Sequence, residues 1–289
     1  MVYSVILFVV TLIGLIAATI TDLKTREVPD WLSYGLICVG LGLNLLFSLI
    51  YRDYWFFVNS LAGFVLFLIV ALVMFYAGQW GGGDSKVLMG LGALIGLDVR
   101  FIRSPFLLSF FINILLIGAV YGLIWSFILA FRNWRNFYKE LKKVSHSVKM
   151  VRSRMYVIIF AFLMLVLFLF NRVNMFGFLF LALLLMSLLT FYLWIFVKAV
   201  EKTCMIKKVE PGKLTEGDWI VKKVMVDGKY ICGPKDLGIE KKQIRELVKL
   251  YKLGKIKKIL IKEGIPFVPS FLVAYVVSLV WGNILFWLV

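Results

Sequence analysis

The stretch Trp55–Ala77, WFFVNSLAGFVLFLIVALVMFYA, decides the fold class because it contains no Asp, Glu, Lys or Arg. About 20 consecutive apolar residues suffice for a helix to cross the hydrocarbon core of a bilayer, which is about 30 Å thick. The whole chain of 289 residues is 62% hydrophobic and only 17% charged, whereas soluble domains average about 25% charged residues. The composition excludes a soluble globule and predicts a polytopic membrane protein.

Further apolar segments lie on both sides of this stretch, and we predict about eight transmembrane helices, within a range of six to eight. The first segment lacks a basic flank and a small-residue cleavage site, so we expect a retained span rather than a signal peptide. The predicted spans are Val2–Ile20, Leu32–Ile50, Trp55–Ala77, Ser85–Leu97, Pro105–Phe131, Met155–Phe170, Met175–Val197 and Ile265–Val289.

The polar segment 198–264 predicts a small cytosolic α+β domain in an otherwise all-α protein. Its Asp227-Gly228 pair between β-rich residues is typical of a tight hairpin. Apolar positions in Ile239–Leu253 predict an amphipathic helix that ends at Gly254, and Lys255–Lys262 predicts a strand. The chain thus divides into four predicted regions: a transmembrane core at 1–131, a basic loop and transmembrane hairpin at 132–197, the α+β domain at 198–264, and a last helix at 265–289.

Basic residues indicate how the spans are oriented. If successive loops lie on opposite sides, 29 of the 33 Lys and Arg residues fall on one side, eight of them within 132–154. Cytoplasmic loops carry the excess of Lys and Arg in membrane proteins. We therefore predict a multi-pass protein of the cell membrane with its amino terminus outside and segment 198–264 in the cytosol.

The net charge of +17 would suggest nucleic acid in a soluble chain, but here the basic residues lie between spans and no nucleic-acid partner is predicted. The basic loop 132–154 is expected to contact anionic lipid as a topology anchor, in preference to docking a protein partner. The three cysteines (Cys38, Cys204 and Cys232) have no metal-type spacing, and the single histidine, His146, lies in that loop. We therefore predict no metal site and no serine–histidine or cysteine–histidine catalysis.

Two acidic residues lie at the edges of predicted spans. Asp22 ends the first span and Asp84 opens the fourth, directly after Gly81, Gly82 and Gly83. Two membrane crossings separate them, so both lie on the same face in either orientation. Ionisable groups at membrane depth are costly and are functional candidates. A helix cap or interfacial position is the alternative for any one of them, and it is the interpretation we favour for Asp30.

A pair of neighbouring carboxyl groups can hydrolyse a peptide bond without a metal, serine or histidine. The two groups share a proton, so that one deprotonates water while the other protonates the substrate, as in aspartic proteases. The glycines beside Asp84 would let backbone or substrate approach closely and would adopt positive φ. From the sequence alone, both a catalytic role and a helix-cap role remain open for the two aspartates.

Three motifs resemble the archaeal preflagellin and type IV prepilin peptidases, a family of membrane aspartic proteases with a GxGD element. The motifs are TDLKTREVPDWL at Thr21–Leu32, GGGDSK at Gly81–Lys86 and GIPFVP at Gly264–Pro269. The resemblance implies that Asp22 and Asp84 are catalytic. It also implies cytosolic cleavage of the positively charged leader of pilin-like or flagellin-like precursors. No cofactor is expected, and the paired cysteines of bacterial methylating relatives are absent, so methylation is not carried over.

Around the predicted aspartate pair, Gly81, Gly82, Gly83, Pro266, Phe267 and Pro269 are expected to shape the site or bind substrate. We hypothesise that Pro266 and Pro269 leave backbone unpaired for the substrate, although a simple helix-start proline pair explains them equally well. Presenilin-like proteases share the GxGD element, but Thr21 here replaces the tyrosine before their first aspartate. Two other function classes stay open: a transporter or proton relay that uses the two aspartates, and a structural membrane scaffold.

Overall fold

The computed structural model describes residues 2–100 and 106–288, so Pro105 and Val289, which bound two predicted spans, lie outside the described residues. Eleven α-helices occur in this part of the chain. They are α1 (Val2–Thr25), α2 (Asp30–Ile50), α3 (Trp55–Tyr76), α4 (Gly82–Ile95), α5 (Phe106–Arg132), α6 (Trp134–Ser145), α7 (Val148–Phe170), α8 (Met175–Val200), α9 (Lys241–Lys252), α10 (Val268–Trp281) and α11 (Leu285–Leu288).

Six of these helices are long and apolar enough to cross a membrane: α1, α2, α3, α5, α7 and α8. The predicted fold class is confirmed at the lower limit of its range. The predicted spans at Ser85–Leu97 and Ile265–Val289 are wrong as full spans, because α4 and α10 have 14 residues each and are about 21 Å long. Gly96 and Gly282 end them with φ of 72° and 67°, positive values that glycine adopts without steric cost.

The basic segment 132–154 is helical, so its interpretation as a loop is wrong. Helix α6 is amphipathic, with Phe137 and Val144 buried and Arg135 and Lys139 exposed. Lys149, Arg152 and Arg154 lie in the first turns of α7, which begins seven residues before the predicted Met155. Apolar residues at helical spacing on one face provide the packing that organises a charged segment into a helix.

Short helix α4 packs between α2 and α3 at the centre of the bundle. Glycines make this close approach possible: a Cβ on Gly63 would lie 2.3 Å from the Gly92 carbonyl oxygen, and one on Gly40 would lie 2.8 Å from the Leu94 nitrogen. Small residues let helix backbones approach closely in membranes. The four-residue spacing of Gly92 and Gly96 indicates such packing from sequence, and the structure confirms it.

The carboxyl end of α4 finds hydrogen-bond partners inside the bundle. The Ala93 carbonyl oxygen accepts bonds from Ser60 Oγ at 2.6 Å and Asn44 Nδ2 at 3.3 Å. Just beyond the helix, the Leu97 N–H donates to the Asn59 carbonyl oxygen at 2.8 Å. Backbone groups at membrane depth need partners within the protein, and these side chains supply them at the end of α4.

The larger hydrophobic core lies between α1, α3, α4, α5 and α10, and includes Phe67, Leu88, Phe110, Phe271 and Tyr275. Helices α7 and α8 pack mainly against each other and α6. Most of their apolar side chains are exposed, as expected for a hairpin whose outer surface faces lipid.

Residues 206–262 contain an α+β region as predicted. Five strands, β1 (Ile206–Val209), β2 (Trp219–Ile220), β3 (Val224–Val226), β4 (Lys229–Cys232) and β5 (Ile259–Lys262), form an antiparallel sheet in the order β1-β5-β2 and the β3–β4 hairpin. The hairpin turns at Asp227 and Gly228, which both have positive φ. Helix α9 buries Leu247 against this region and ends just before Gly254. The hairpin, helix and strand predictions for this segment are confirmed.

Candidate active site

Asp22 lies in the last turn of α1 and is buried, with only 3% of its surface exposed. Its Oδ2 accepts a hydrogen bond of 2.9 Å from the backbone N–H of Val268. A partner 246 residues away in sequence thus holds this carboxylate at the start of α10. A buried charge with a directed backbone donor is a more constrained arrangement than an interfacial carboxylate facing water.

Asp84 lies in the first turn of α4, and its Oδ2 accepts the Gly81 backbone N–H at 3.1 Å. This contact is half of a capping box, in which a side chain at the third helical position bonds back to the residue before the helix. Asp84 therefore does cap its helix, as the helix-cap interpretation predicts. One carboxylate oxygen is used in this way, and the second is left to other partners.

The structure brings the two aspartates to the same end of the helical bundle, where α1 ends and α4 begins. We call this the Asp22 end. Helix α2 leads the chain to the opposite end of the bundle, and α3 returns it. The carboxyl groups of Asp22 and Asp84 interact electrostatically. Two like charges near each other in a buried setting favour sharing a proton, which is the property that the predicted pair requires.

The glycine triplet gives close packing but not the expected backbone conformation. Gly81 has φ of −72°, and Gly82 and Gly83 are the first residues of α4, so the expectation of positive φ at these glycines is wrong. A helix that starts at this point needs ordinary helical angles. Close approach is confirmed at Gly83, where a Cβ would lie 3.3 Å from the Val28 nitrogen.

The segment Pro266–Pro269 leads into α10 and contacts Asp22 directly. The ring of Phe267 packs beside Trp80 and Phe271, with centroids 5.8 and 5.6 Å away. Gly118 of α5 also meets this ring, since a Cβ there would lie 2.5 Å from Phe267 Cζ. Two backbone N–H groups lie between the two prolines, and that of Val268 donates its hydrogen bond to Asp22.

Arg26 joins the end of α1 to the segment before Pro266. Its guanidinium contacts the Glu263 carboxylate at 2.8 Å and the Gly264 carbonyl oxygen at 3.0 Å. Arg26 adopts a left-handed φ of 59°, which is strained for a residue with a side chain. The roles of Arg26 and the Val268 N–H were not predicted from the sequence, because both depend on contacts between residues distant in sequence. The only signal was that the TDLKTREVPDWL and GIPFVP motifs resemble the same family.

Two further acids lie at the Asp22 end. Asp30 is the first residue of α2 and makes no side-chain cap, so its predicted capping role is wrong. Its carboxylate pairs with Lys86 at 2.5 Å, and the Lys86 ammonium also lies over the Tyr34 ring. Glu27 is exposed and has no ion pair with the described residues. Among all the residues that the structure describes, no group of three or more His, Cys, Asp or Glu could hold a metal ion.

Comparison with known proteins confirms the resemblance drawn from the motifs. Residues 9–126 match the model of the type IV leader peptidase family, Peptidase_A24. The preflagellin peptidase of Methanocaldococcus jannaschii is 42% identical over 88 residues, which are 30% of this chain and 37% of that protein. The preflagellin peptidase of Methanococcus maripaludis is 31% identical over 142 residues, 45% and 59% of the two chains. That of Methanococcus voltae is 37% identical over 90 residues, 31% and 38% of the two chains. In each case the chain spans less than two thirds of the relative's length.

Proposed function

We propose that this chain, which carries a type IV leader peptidase domain in residues 9–126, is a membrane aspartic endopeptidase. Its substrates would be pilin-like or flagellin-like precursors, from which it removes the positively charged leader. The observation that carries the proposal is that Asp22 and Asp84 lie at the same end of the bundle, where their carboxyl groups interact electrostatically. The family match and the preflagellin peptidases similar to this chain support the same activity.

In the proposed mechanism the two aspartates act as one unit that shares a proton. The ionised carboxylate takes a proton from water, whose oxygen bonds to the scissile carbonyl carbon, while the other carboxyl gives its proton to the carbonyl oxygen. The C–N bond then breaks as the leaving nitrogen takes the proton held by the first carboxyl, and one hydroxyl of the intermediate returns its proton to the second. Titration belongs to the pair rather than to either residue. The Val268 N–H fixes the orientation of one partner for this exchange.

Glu27 is the acid that we assign to the basic leader. Of the two acids named above, Asp30 is already paired with Lys86, whereas Glu27 is exposed and without an ion pair among the described residues. Its position five residues after Asp22 places it beside the site. An exposed ion pair is worth at most about 1 kcal/mol, so Glu27 would orient the leader more than it would hold it.

The proposed orientation places the Asp22 end of the bundle in the cytosol and the amino terminus outside. It follows from the predicted distribution of basic residues, in which 29 of the 33 Lys and Arg residues fall on the Asp22 side if successive polar segments alternate between the two faces of the membrane. A leader made in the cytosol would then reach the aspartates before its precursor leaves the membrane.

Sealed membrane vesicles test both the activity and the orientation. Inside-out vesicles from cells that express the protein should shorten an added, tagged precursor by the length of its leader, as measured by mass spectrometry. Intact right-side-out vesicles should cleave it only after detergent opens them. A transporter, a proton relay or a scaffold would leave the precursor at full length in every preparation, and cleavage by right-side-out vesicles alone would reverse the orientation.

We also propose that α6 binds anionic lipid at the membrane surface. The helix buries Phe137 and Val144 and exposes Trp134 and Tyr138 together with a row of basic residues. Each basic residue near an anionic surface contributes about 1 kcal/mol. The exposed basic residues of α6 are Arg135, Lys139, Lys142 and Lys143.

Changing these four residues to Gln should reduce the number of anionic lipids that the purified protein retains in native mass spectrometry. The matched control removes four exposed charges elsewhere, at Lys222, Lys223, Lys257 and Lys258, and should retain lipid as the unaltered protein does. Equal retention by the α6 variant and the unaltered protein would contradict lipid binding by α6.

A further inference from the structure

Tyr121 of α5 has a buried hydroxyl group that makes no hydrogen bond in the part of the chain that the structure describes. A buried polar group without a partner costs about 1–3 kcal/mol. Four side-chain atoms share this property among the described residues, namely Thr19 Oγ1, Ser33 Oγ, Tyr121 Oη and Arg154 Nε. Such a cost in a folded protein calls for a functional explanation where the group lies near a candidate site.

A contact one turn before Tyr121 places this residue near Asp22. Gly118, one helical turn earlier, meets the Phe267 ring, and the next residue along that segment, Val268, donates its N–H to Asp22. Residues three apart lie on neighbouring turns of the same helix face. The Tyr121 hydroxyl also interacts electrostatically with the Asp22 carboxylate.

The ring of Tyr121 is held in place while its hydroxyl stays unoccupied. Trp125, one turn further along α5, lies with its ring centroid 5.8 Å from that of Tyr121. This neighbour restricts the movement of the ring that carries the donor. Fixed donors in a site without water stabilise developing charge more than mobile ones, because they need no reorganisation during the reaction.

We propose that Tyr121 donates a hydrogen bond to the carbonyl oxygen of the scissile peptide bond. This inference rests on the proposed function and assigns it a third participant. When the water oxygen bonds to the carbonyl carbon, the C=O π electrons move to the oxygen, and the Tyr121 hydroxyl bonds to that oxygen as its charge grows. Tyr121 keeps its proton, and the proton transfers remain with Asp22 and Asp84.

A substrate carbonyl suits this donor because Asp22 already uses Oδ2 to accept the Val268 N–H and makes no bond to Tyr121. An extended peptide brings a carbonyl group at each residue, and its arrival would supply the missing acceptor. The unpartnered hydroxyl would then gain its hydrogen bond only with substrate, and most strongly in the tetrahedral intermediate.

Tyr121→Phe tests the proposal because it removes the hydroxyl and keeps the ring against Trp125. We expect kcat for precursor cleavage to fall about 10²-fold, the usual effect of losing one such donor, with KM within about twofold. The melting temperature should stay unchanged or rise, since an unpartnered buried group is lost. The matched control is Tyr275→Phe, which removes a buried hydroxyl that is bonded to the Phe8 carbonyl oxygen, and it should leave kcat unchanged.

A second measurement uses binding alone. A peptide inhibitor with a tetrahedral hydroxyl group at the scissile position should lose about as much affinity for Tyr121→Phe as kcat loses, while an uncleavable leader peptide should bind both proteins alike. Cleavage by Tyr121→Phe at the unaltered rate would overturn this inference and leave the proposed function intact. Absence of cleavage by the unaltered protein would instead overturn the proposed function. Failure of Tyr121→Phe to fold would also contradict the inference, because it assumes that the Tyr121 hydroxyl makes no hydrogen bond that stabilises the fold.

Discussion

Asp22→Asn and Asp84→Asn should each lower the rate of precursor cleavage by about 10⁴-fold or more while leaving the protein folded. Losses of this size follow the removal of one member of a catalytic group that acts as a unit. An amide cannot exchange a proton with water or with the substrate at neutral pH, so either substitution stops the proton transfers. The double variant should be no worse than either single one, because the function of the pair is already lost.

The fold should survive because Asn keeps the contacts that each aspartate makes. Its side-chain oxygen can still accept the Val268 N–H at position 22 and the Gly81 N–H at position 84. Matched controls are Asp53→Asn and Asp98→Asn, in which the altered carboxylates also accept a backbone N–H. They lie at the opposite end of the bundle, where α3 begins and just after α4 ends, and their cleavage rates should equal that of the unaltered protein.

Melting temperature and cleavage rate, measured on the same preparations, separate loss of chemistry from loss of structure. A site variant that keeps more than about a tenth of the activity would contradict an aspartate pair. So would inactive controls, because they would show that any Asp→Asn change at a helix end disables the protein. Inactivity of Asp84→Asn with a lowered melting temperature would favour the capping role of that residue over catalysis.

The parity of membrane crossings was sufficient to predict that Asp22 and Asp84 lie at the same end of the bundle, because it depends only on how many apolar segments separate them. Segment lengths were predicted less well. Apolarity locates a helix, but α4 ends where Gly96 takes a positive φ and where Ser60 and Asn44 supply hydrogen bonds to Ala93. Those partners come from other helices, and a pattern within one segment does not contain them.

Contacts between distant segments explain the rest of what sequence interpretation missed. The Val268 N–H reaches Asp22 from the start of α10, and Arg26 joins the end of α1 to the segment before α10. Neither belongs to a recognisable catalytic spacing, and the same holds for the proposed role of Tyr121. Segment 132–154 is a different case, since Phe137 and Val144 already stand at helical spacing among its charges. There the density of basic residues suggested a loop, although the apolar periodicity indicated the helix that the structure contains.

Gly40→Ala should destabilise the whole bundle, and with it the site, although position 40 lies far along α2 from either aspartate. A Cβ at Gly40 would lie 2.8 Å from the Leu94 nitrogen and 2.9 Å from the Ala93 carbonyl carbon. Backbone atoms cannot rotate away as a side chain can, so α2 and α4 must separate. Overpacking of this kind costs about 1–3 kcal/mol, and separation would also break the 3.3 Å bond from Asn44 to Ala93.

Gly42→Ala is the matched control, since it makes the same chemical change two residues later in the same helix. A Cβ at Gly42 would have nothing within 4 Å, and Ala favours a helix over Gly by up to about 1 kcal/mol, so its stability should be unchanged or higher. Thermal unfolding followed by circular dichroism should therefore separate the two variants, with Gly40→Ala melting lower. Because α4 begins with the turn that holds Asp84, Gly40→Ala should also cleave precursor more slowly at temperatures at which it is still folded. Equal melting temperatures for the two variants would show that α2 and α4 are not in backbone contact, and a short α4 would then lack the packing that keeps Asp84 beside Asp22.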